Sequence, residues 1–185
     1  LDAYFQLVQE FGVENVCLLS PMKQKGTACI SVFNEAIQRT LNPAIPGKKE
    51  IKGMRVGDRV VCNKNNWEKN IANGDIGTIR DIDNSSITVA FDSGECAILV
   101  GSEMSVLSLA YAMTIHKSQG SEYSGVVVVF AAEHWYMRQR NLLYTAVTRA
   151  KEKLRLVGDA RAIAACIEKN DAPHRNTKLK ERLQA

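Results

Sequence analysis

Apolar residues follow two different patterns along this chain. Near both ends, continuous apolar runs such as VCLLS (16–20) and VVVVF (126–130) precede segments with helical spacing of apolar positions, SVFNEAIQRTL (31–41) and RNLLYTAVTRA (140–150). A continuous run is typical of a parallel strand covered on both faces, and the helical spacing predicts the covering helix. Because KLRLVG and ARAIAACIEKN continue the alternation, these regions predict an α/β fold with a doubly wound parallel sheet.

The first predicted helix has one apolar face. That face contains Val32, Phe33, Ala36, Ile37 and Leu41. The prolines and the glycine of NPAIPG end the helix directly afterwards.

The middle of the chain, residues 48–108, has a different pattern. Short runs rich in β-branched residues, DRVVC, GTIRDI, SITVAF and ECAILV, are separated by the turn signals NGD, DNS and DSG. This rhythm predicts a small antiparallel barrel or meander. We therefore expect an α/β domain, residues 1–47 plus 109–185, that is interrupted by an inserted β domain at 48–108.

Composition narrows the class of protein. The chain has 185 residues, 45% hydrophobic content and a formal net charge of +4, which allows a core and suits an anionic partner. Its longest apolar run is far shorter than the ~20 residues of a membrane helix. The five cysteines are scattered without metal-ligand spacing. We expect a soluble cytoplasmic protein with no membrane partner and no metal site, and a start at Leu1 rather than methionine predicts a piece of a longer polypeptide.

The segment LAYAMTIHKSQGSEYSGVVVVF (109–130) places a polar turn between two apolar runs. In open α/β sheets, loops at the carboxyl ends of the strands bind ligands. Thr114 can cap a short following helix and leave its amides free for an anion. His116 and Lys117 add donors and charge, and Gly120 allows close approach of the backbone. These residues indicate either an anion-binding turn or a capped surface loop without a ligand, and they do not distinguish a nucleotide from a nucleic acid.

Several linked segments resemble superfamily 1 helicases of the RecD-like, 5′-to-3′ branch, which includes RecD and TraA. RNLLYTAVTRAKEKLRLVG and AYAMTIHKSQGSEY are similar to helicase motifs VI and V, and CLLSPMKQKGTACISVFNEAIQRTLNP is similar to the region of motif IV. MRVGDRVVCNKNN and NGDIGTIRDIDNSSITVAFDSGE resemble the SH3-like barrel that these helicases carry inside their second RecA-like motor domain. The tail IEKNDAPHRNTKLKERL is also similar, so the resemblance covers almost the whole chain.

The resemblance implies an ATP-driven DNA helicase or translocase and assigns roles within it. In this family ATP binds between two RecA-like domains, and Arg149 matches the motif VI arginine that reaches the γ-phosphate. A guanidinium suits this role because it stays charged and offers a planar fork of donors. The alternative is a surface arginine that faces solvent or pairs with Glu152. Residues expected near the ATP are Gln119, Gly120, Glu122 and Tyr144.

The resemblance also implies contacts with single-stranded DNA. The expected contact residues are Ser20, Pro21, Thr114, His116, Lys117, Ser118, Lys64 and Trp67. The basic start of the barrel suits phosphates, and Trp67 in the loop NKNNWEKN suits base stacking, although it could instead pack on its own barrel or the neighbouring domain. We expect His134, Trp135 and Tyr136 to pack between the strand and the motif VI helix, and His174 to be exposed in a basic tail.

Two parts of an ATP site are absent from the sequence. It has no GxxxxGK[ST] phosphate loop and no apolar strand that ends in an acidic pair for magnesium. The chain is therefore predicted to carry half of an ATP site and to be inactive alone, with the phosphate loop and the Mg²⁺ ligands on an upstream RecA-like domain of the same polypeptide. The alternative is a stand-alone nucleic-acid-binding module whose strand binding does not depend on nucleotide.

Overall fold

The computed structural model describes residues 1–169 and Leu183. In chain order the elements are helix α1 (Asp2–Phe11), strand β1 (Val16–Ser20), helix α2 (Ile30–Leu41), strands β2 (Arg59–Cys62), β3 (Ile76–Ile82), β4 (Ser86–Phe91), β5 (Cys96–Val100), β6 (Leu107–Leu109), β7 (Ala112–Thr114) and β8 (Tyr123–Phe130), helix α3 (Arg140–Val147), strand β9 (Ala150–Gly158) and helix α4 (Ala160–Glu168). The segments named from the sequence pattern form β1, α2, β2 to β5, β8, α3, β9 and α4. The predictions for the tail and for His174 lie outside the described residues.

Four strands form a parallel sheet in the order β7-β1-β8-β9. Strand β8 is buried along nearly its whole length. Its apolar run is continuous because both faces are covered, and the predicted α/β parallel-sheet fold is confirmed. On one face Val127 packs with Leu7 of α1 and Ile37 of α2, and on the other face lie side chains from α3 and α4, including Leu143 and Cys166.

Five strands form an antiparallel sheet in the order β5-β4-β3-β2-β6. Every second residue of β4 and β5 is buried, and the inward side chains, such as Val89 and Leu99, enclose a separate core. Strand β2 is buried at every position because its side chains pack alternately into the cores of the two sheets. Val60 belongs to the core of the antiparallel sheet, whereas Val61 packs into the core of the parallel sheet.

A buried carboxylate, Asp58, joins the two sheets. One of its oxygens accepts hydrogen bonds from Gln38 Nε2 (2.6 Å) and the Arg55 backbone N–H (2.8 Å). The other accepts from Asn42 Nδ2 (2.7 Å) and the Tyr111 hydroxyl (2.9 Å). Four donors compensate the burial of this polar group. Because the donors come from α2 and from the connections that enter and leave the barrel, Asp58 holds the barrel against the parallel sheet.

The helices differ from the sequence prediction in two ways. In α2, Val32 and Leu41 are exposed while Asn34 and Gln38 are buried, so the predicted apolar face is wrong in part. The Asn34 amide donates to the Ala112 carbonyl (3.0 Å) and accepts from its N–H (2.8 Å), which explains why a polar residue faces β7. Helix α1 was not predicted at all.

The described residues contain neither a membrane-length helix nor a cluster of metal ligands. None of their helices is long and apolar enough to cross a bilayer. No group of three or more His, Cys, Asp or Glu side chains among them could hold a metal ion. All five cysteines are free thiols, and only Cys96 is exposed.

Candidate functional site

The loops at the carboxyl edge of the parallel sheet form the candidate site. Because β7, β1 and β8 run parallel, the loops that follow them leave from the same edge. These loops are the polar turn (residues 114–122), the β1 exit loop (residues 21–29) and the segment 131–139 that leads to α3. The barrel meets this edge through a hydrogen bond from Lys117 Nζ to Asn63 Oδ1.

The polar turn is a series of hydrogen-bonded turns and not the short helix expected from the sequence. The Thr114 carbonyl accepts from the N–H groups of Lys117 (2.9 Å) and Ser118 (3.1 Å), and the Thr114 hydroxyl also accepts from Lys117 N–H (3.3 Å). The Gln119 N–H bonds to the His116 carbonyl (3.4 Å). These amides are therefore engaged within the turn. The turn therefore differs from the capped helix expected from the sequence, and the N–H groups of Lys117, Ser118 and Gln119 are not open to an anion.

Three residues expected to contact DNA are buried, namely Ser20, Pro21 and Ser118. The Ser20 hydroxyl donates to the Ala28 carbonyl (2.8 Å), and the Ser118 hydroxyl donates to the Ile115 carbonyl (2.8 Å). Both hydroxyls are thus used inside the fold. The expectation that the Ser20 and Ser118 hydroxyls contact DNA directly is wrong, because both are buried and donate to backbone carbonyls. Pro21 is buried as well.

His116 and Lys117 remain available to a ligand. His116 is exposed, and Lys117 is half-buried. Burial, and then the nearby charge of Lys23, hold the pKa of Lys117 below its usual value. Among the described residues, no carboxylate lies within ion-pair distance of either lysine. Two neighbouring cations without a counter-ion favour the binding of an anion such as a phosphate.

Arg149 lies just after α3 and reaches back to the polar turn. Its Nε donates to the Thr145 carbonyl (3.1 Å), its Nη1 to the Ser121 carbonyl (3.1 Å) and its Nη2 to the Thr148 hydroxyl (3.2 Å). Within the described part of the chain it makes no ion pair, so the alternative pairing with Glu152 is not observed. A guanidinium held only by neutral acceptors keeps an uncompensated charge for an anionic ligand.

A cavity of about 270 Å³ connects the polar turn to α3. Its lining includes His116 and Gln119 from the turn and Asn141 and Thr145 from the helix. Tyr144 is exposed on the same helix. His116 was expected on the DNA side and Gln119 on the ATP side, but the structure brings both side chains to one cavity.

Two other residues expected near ATP lie at the end of the polar turn. Glu122 is exposed, and its carboxylate is 3.6 Å from Lys151 Nζ. Gly120 has a φ of +88°, a left-handed conformation that favours glycine. No atom lies within 4 Å of the position that a Cβ would take there. Glycine is therefore needed for the turn conformation, and the space beside it is open.

The barrel presents Lys64 and Trp67 on an exposed loop. Trp67 is 78% exposed and lies on a 3₁₀ turn, Trp67–Lys69, which Asn66 caps by accepting from the Lys69 N–H (3.2 Å). Trp67 does not pack into its own barrel, and its face is free.

The basic start of the barrel is largely neutralised within the fold. Arg55 pairs with Glu50 (2.7 Å) and Lys49 pairs with Asp83 (2.7 Å). Arg59 pairs with Asp92 at 2.5 Å. These three cations of the barrel start are therefore neutralised by carboxylates, and the basic surface expected there for phosphates is smaller than predicted.

Two residues shape the loops of the site although the sequence assigned neither of them to it, namely Glu133, which was not singled out, and His134, which was expected only to pack. The Glu133 carboxylate accepts from the N–H groups of Ala28 (2.6 Å) and Thr27 (3.3 Å), and these bonds, that of Ala28 foremost, lower its pKa. Buried His134 accepts at Nδ1 from the Ala131 N–H (3.1 Å), and its Nε2 donates to the Ala28 carbonyl (3.1 Å). Burial lowers the pKa of His134, which favours this neutral form. We call Glu133 and His134 the loop clip, because they tie the β1 exit loop to the segment after β8.

The aromatic residues that follow the loop clip do not pack as expected. His134 is buried, in agreement with the prediction, and its ring meets Phe130 edge to face at 6.4 Å. Trp135 and Tyr136 are exposed, so the prediction that they pack against the helix is wrong. The loop clip precedes the two rings directly, and the Tyr136 hydroxyl contacts the sulfur of Met22.

Two family profiles match the chain. Residues 109–157 match the UvrD-like helicase C-terminal domain, and residues 33–91 match the SH3 domain of ATP-dependent RecD-like DNA helicases. Among solved structures, one of two coordinating Pif1 helicases at forked double-stranded DNA superimposes with a TM-score of 0.59 at 19% identity, over 97% of this chain and 48% of that chain. The fold is that of a RecA-like helicase motor domain with an SH3-like domain.

Curated relatives narrow this class further. The ATP-dependent RecD2 DNA helicase of Deinococcus radiodurans is 38% identical over 97% of this chain and 25% of its own length. The RecBCD enzyme subunit RecD of Mycolicibacterium smegmatis is 32% identical over 87% of this chain and 28% of its own length. The chain belongs to the RecD-like helicase family, as its sequence motifs predicted. It spans about a quarter of the length of these relatives.

Proposed function

We propose that this chain is the second motor domain of an ATP-dependent RecD-like DNA helicase. Residues 1–47 and 109–185 form the RecA-like unit, and residues 48–108 form the inserted SH3-like barrel. The chain binds single-stranded DNA and contributes one half of an ATP site. The phosphate loop and the Mg²⁺ ligands of that site belong to an upstream RecA-like domain of the same polypeptide, so the chain alone has no ATPase activity.

The position of Arg149 carries this proposal. Its three hydrogen bonds go to neutral acceptors, two of them backbone carbonyls. These bonds are charge-assisted only through their donor, whereas a bond from the guanidinium to a phosphoryl oxygen joins two opposite charges and can be bidentate. Exchange of the carbonyls for a γ-phosphate brought by the upstream domain is therefore favourable. Charge that develops on the transferring phosphoryl group is then stabilised by a guanidinium that cannot lose its proton.

The remaining proposed ATP-side residues belong to the polar turn and to α3, the two elements to which Arg149 bonds. Gln119 can donate and accept hydrogen bonds in the cavity beside α3, and Tyr144 offers an exposed ring and hydroxyl on the same helix. Gly120 leaves space for a ligand at the turn, and Glu122 provides an exposed carboxylate. Together these residues supply hydrogen bonds and space for the nucleotide, and none of them takes part in the phosphoryl transfer itself.

The DNA-binding surface lies at the carboxyl edge of the sheet and on the barrel loop. Lys117, with Lys23 beside it, supplies a charged site for a phosphate, and His116 and Thr114 add hydrogen-bonding groups. Lys64 follows the residue that accepts from Lys117, so the barrel loop continues the same cationic surface. We expect this electrostatic contact to weaken steeply as the salt concentration rises.

The polar turn couples the two surfaces. Lys117, which meets the DNA, and Ser121, whose carbonyl holds Arg149, belong to one short turn. A shift of the turn when a phosphate engages Lys117 moves the carbonyl that holds the guanidinium. DNA binding thereby changes how easily the Arg149 guanidinium leaves the Ser121 carbonyl to contact ATP.

The test is DNA-stimulated ATP hydrolysis by a full-length RecD-like helicase that contains this chain. At equal occupancy of single-stranded DNA, Arg149→Ala should lower turnover by about 10³-fold, and Arg149→Lys should restore only a small part of it. The control is Arg155→Ala, which removes an exposed arginine from β9. Unchanged turnover in Arg149→Ala, or ATP hydrolysis by the present chain alone, would overturn the proposal and favour the stand-alone nucleic-acid-binding module.

A further inference from the structure

Two exposed aromatic rings stand together at the carboxyl edge of the sheet. Trp135 is 69% exposed and Tyr136 is 48% exposed. Their ring centroids are 5.6 Å apart at an interplanar angle of 83°. We call this pair the aromatic ledge. Rings of this size with so much surface in water are costly to leave uncovered, and clustered exposed aromatics mark binding surfaces.

The aromatic ledge is held in place by the residues around it. The Tyr136 hydroxyl lies 3.2 Å from the sulfur of Met22 in the β1 exit loop. Directly before the ledge, the loop clip bonds to the backbone of Thr27 and Ala28. The ledge is thus tied to the loop on two sides. A preordered aromatic surface loses little conformational entropy when a flat ligand stacks on it.

The surroundings of the aromatic ledge are cationic. Lys23 and Lys25 are exposed on the adjoining β1 exit loop. Arg138, two residues after the ledge, donates one hydrogen bond to the Ala132 carbonyl (2.8 Å), and its Nε finds no partner in the described structure. The carboxylate of Glu133 is already engaged by two backbone amides. An aromatic face bordered by unpaired cations matches a ligand with flat bases and negative phosphates.

The aromatic ledge continues the surface proposed to bind DNA. Just after it, Met137 and Gln139 line the cavity that His116 and Gln119 of the polar turn also line. Before it, the β1 exit loop carries Lys23, whose charge acts on Lys117. The ledge therefore adjoins both loops that meet the phosphates. A protein interface is depleted of lysine, whereas Lys23 and Lys25 are exposed on the loop that adjoins the ledge.

We propose that the aromatic ledge is a base-stacking platform for single-stranded nucleic acid, with Trp135 as its principal contact, an inference that rests on the DNA binding proposed above. Lys23 and Lys25 bind the phosphates that flank the stacked base. Stacking uses the face of the base and not its hydrogen-bonding edge, so the contact accepts any base.

The chain contains only two tryptophans, Trp67 and Trp135, and this permits a direct test. The variant Trp67→Phe leaves Trp135 as the sole tryptophan, which can be excited selectively over tyrosine, and Trp135→Phe leaves Trp67. Each is titrated with a dT oligonucleotide and with the same oligonucleotide made abasic, which keeps the phosphates. In the Trp67→Phe protein, the dT strand should quench Trp135 and the abasic strand should not.

Affinity supplies the second measurement. Loss of one base stack costs on the order of tenfold in dissociation constant, so Trp135→Ala should weaken dT binding by about that factor. The same change should not alter the affinity for the abasic strand or the salt dependence. Lys23→Ala should instead lower the slope of log K against log salt by about 0.7. Trp135→Phe keeps a stacking face and should bind nearly as well as the wild type. Thermal unfolding of each variant confirms that the fold is retained.

The outcomes separate this inference from the function on which it rests. If the wild-type chain does not bind the dT strand, the proposed DNA binding itself fails. If the wild type binds but Trp135→Ala binds equally well and Trp135 is not quenched, the platform is overturned while the DNA binding stands. Equal weakening of dT and abasic binding by Trp135→Ala would also overturn it, because a stacking contact needs a base.

Discussion

Removal of the Asp58 carboxylate tests whether the junction between the two sheets depends on one buried group. In Asp58→Ala the Gln38 and Asn42 amides each lose one acceptor and keep another, because Gln38 Nε2 also reaches the Gly53 carbonyl (2.8 Å) and Asn42 Nδ2 also reaches the Val56 carbonyl (3.0 Å). The other two donors, the Arg55 N–H and the Tyr111 hydroxyl, lose the partner that they have in the structure.

The size of the effect follows from those two donors. Each unsatisfied buried donor costs about 1–3 kcal/mol, and removal of the carboxylate returns part of its own cost of burial. We therefore expect Asp58→Ala to lower the free energy of unfolding by about 3 kcal/mol. Asp58→Asn keeps the shape and one acceptor oxygen, so its effect should be smaller.

Urea unfolding of the chain, followed by circular dichroism, measures this change. The matched control is Asp83→Ala, which removes an exposed carboxylate paired only with Lys49 at the surface; such pairs contribute little to stability. If Asp58→Ala unfolds at the same urea concentration as Asp83→Ala, the junction does not depend on the carboxylate and the reasoning is refuted.

Three further predictions concern the candidate site. Burial holds the pKa of Lys117 below its usual value, so a rising pH should remove its charge earlier than that of an ordinary lysine. Titrations with a dT oligonucleotide should show affinity falling at a lower pH in the wild type than in Lys117→Arg, whose charge persists; identical profiles would contradict this. Gly26→Ala places a Cβ 2.6 Å from the Glu133 carboxylate, whereas Gly47→Ala meets no atom within 4 Å at a similar positive φ. Thermal unfolding should therefore show a larger loss of stability for Gly26→Ala than for Gly47→Ala. Equal losses of stability would argue against the loop clip. The folded-state pKa of His134 lies below its unfolded value, so the stability that neutral His134 contributes is present above about pH 6.5 and is lost as the pH falls below it. Urea midpoints measured against pH should show this slope in the wild type and not in His134→Gln.

The sequence predicts the strands and most of the helices because burial on one or both faces leaves a direct pattern in the order of residues. It does not predict the polar side of α2. Asn34 and Gln38 face inward because they bond to Ala112 and to Asp58, and these partners come from other elements. Apolar spacing alone assigns the buried face to Val32 and Leu41, which are exposed.

The same distinction between local sequence pattern and contacts from distant residues holds for the candidate site. The motifs single out Arg149 and the polar turn, which the structure joins through the Ser121 carbonyl. The engagement of the Ser20 and Ser118 hydroxyls depends on carbonyls that only the folded loops bring near. The loop clip joins residues 105 and 106 positions apart, so no local pattern could reveal it.

The most direct test of the account is the binding of ADP with aluminium fluoride, an analogue of the phosphoryl-transfer transition state, by a full-length RecD-like helicase that contains this chain. If Arg149 acts mainly on the transferring phosphoryl group, Arg149→Ala in the presence of saturating single-stranded DNA should weaken the analogue by about 10³-fold. Binding of ATP itself should change only a few-fold. Unchanged affinity for the analogue, or an equal loss for the analogue and for ATP, would contradict the claim that this chain supplies the arginine to an ATP held by its upstream partner domain.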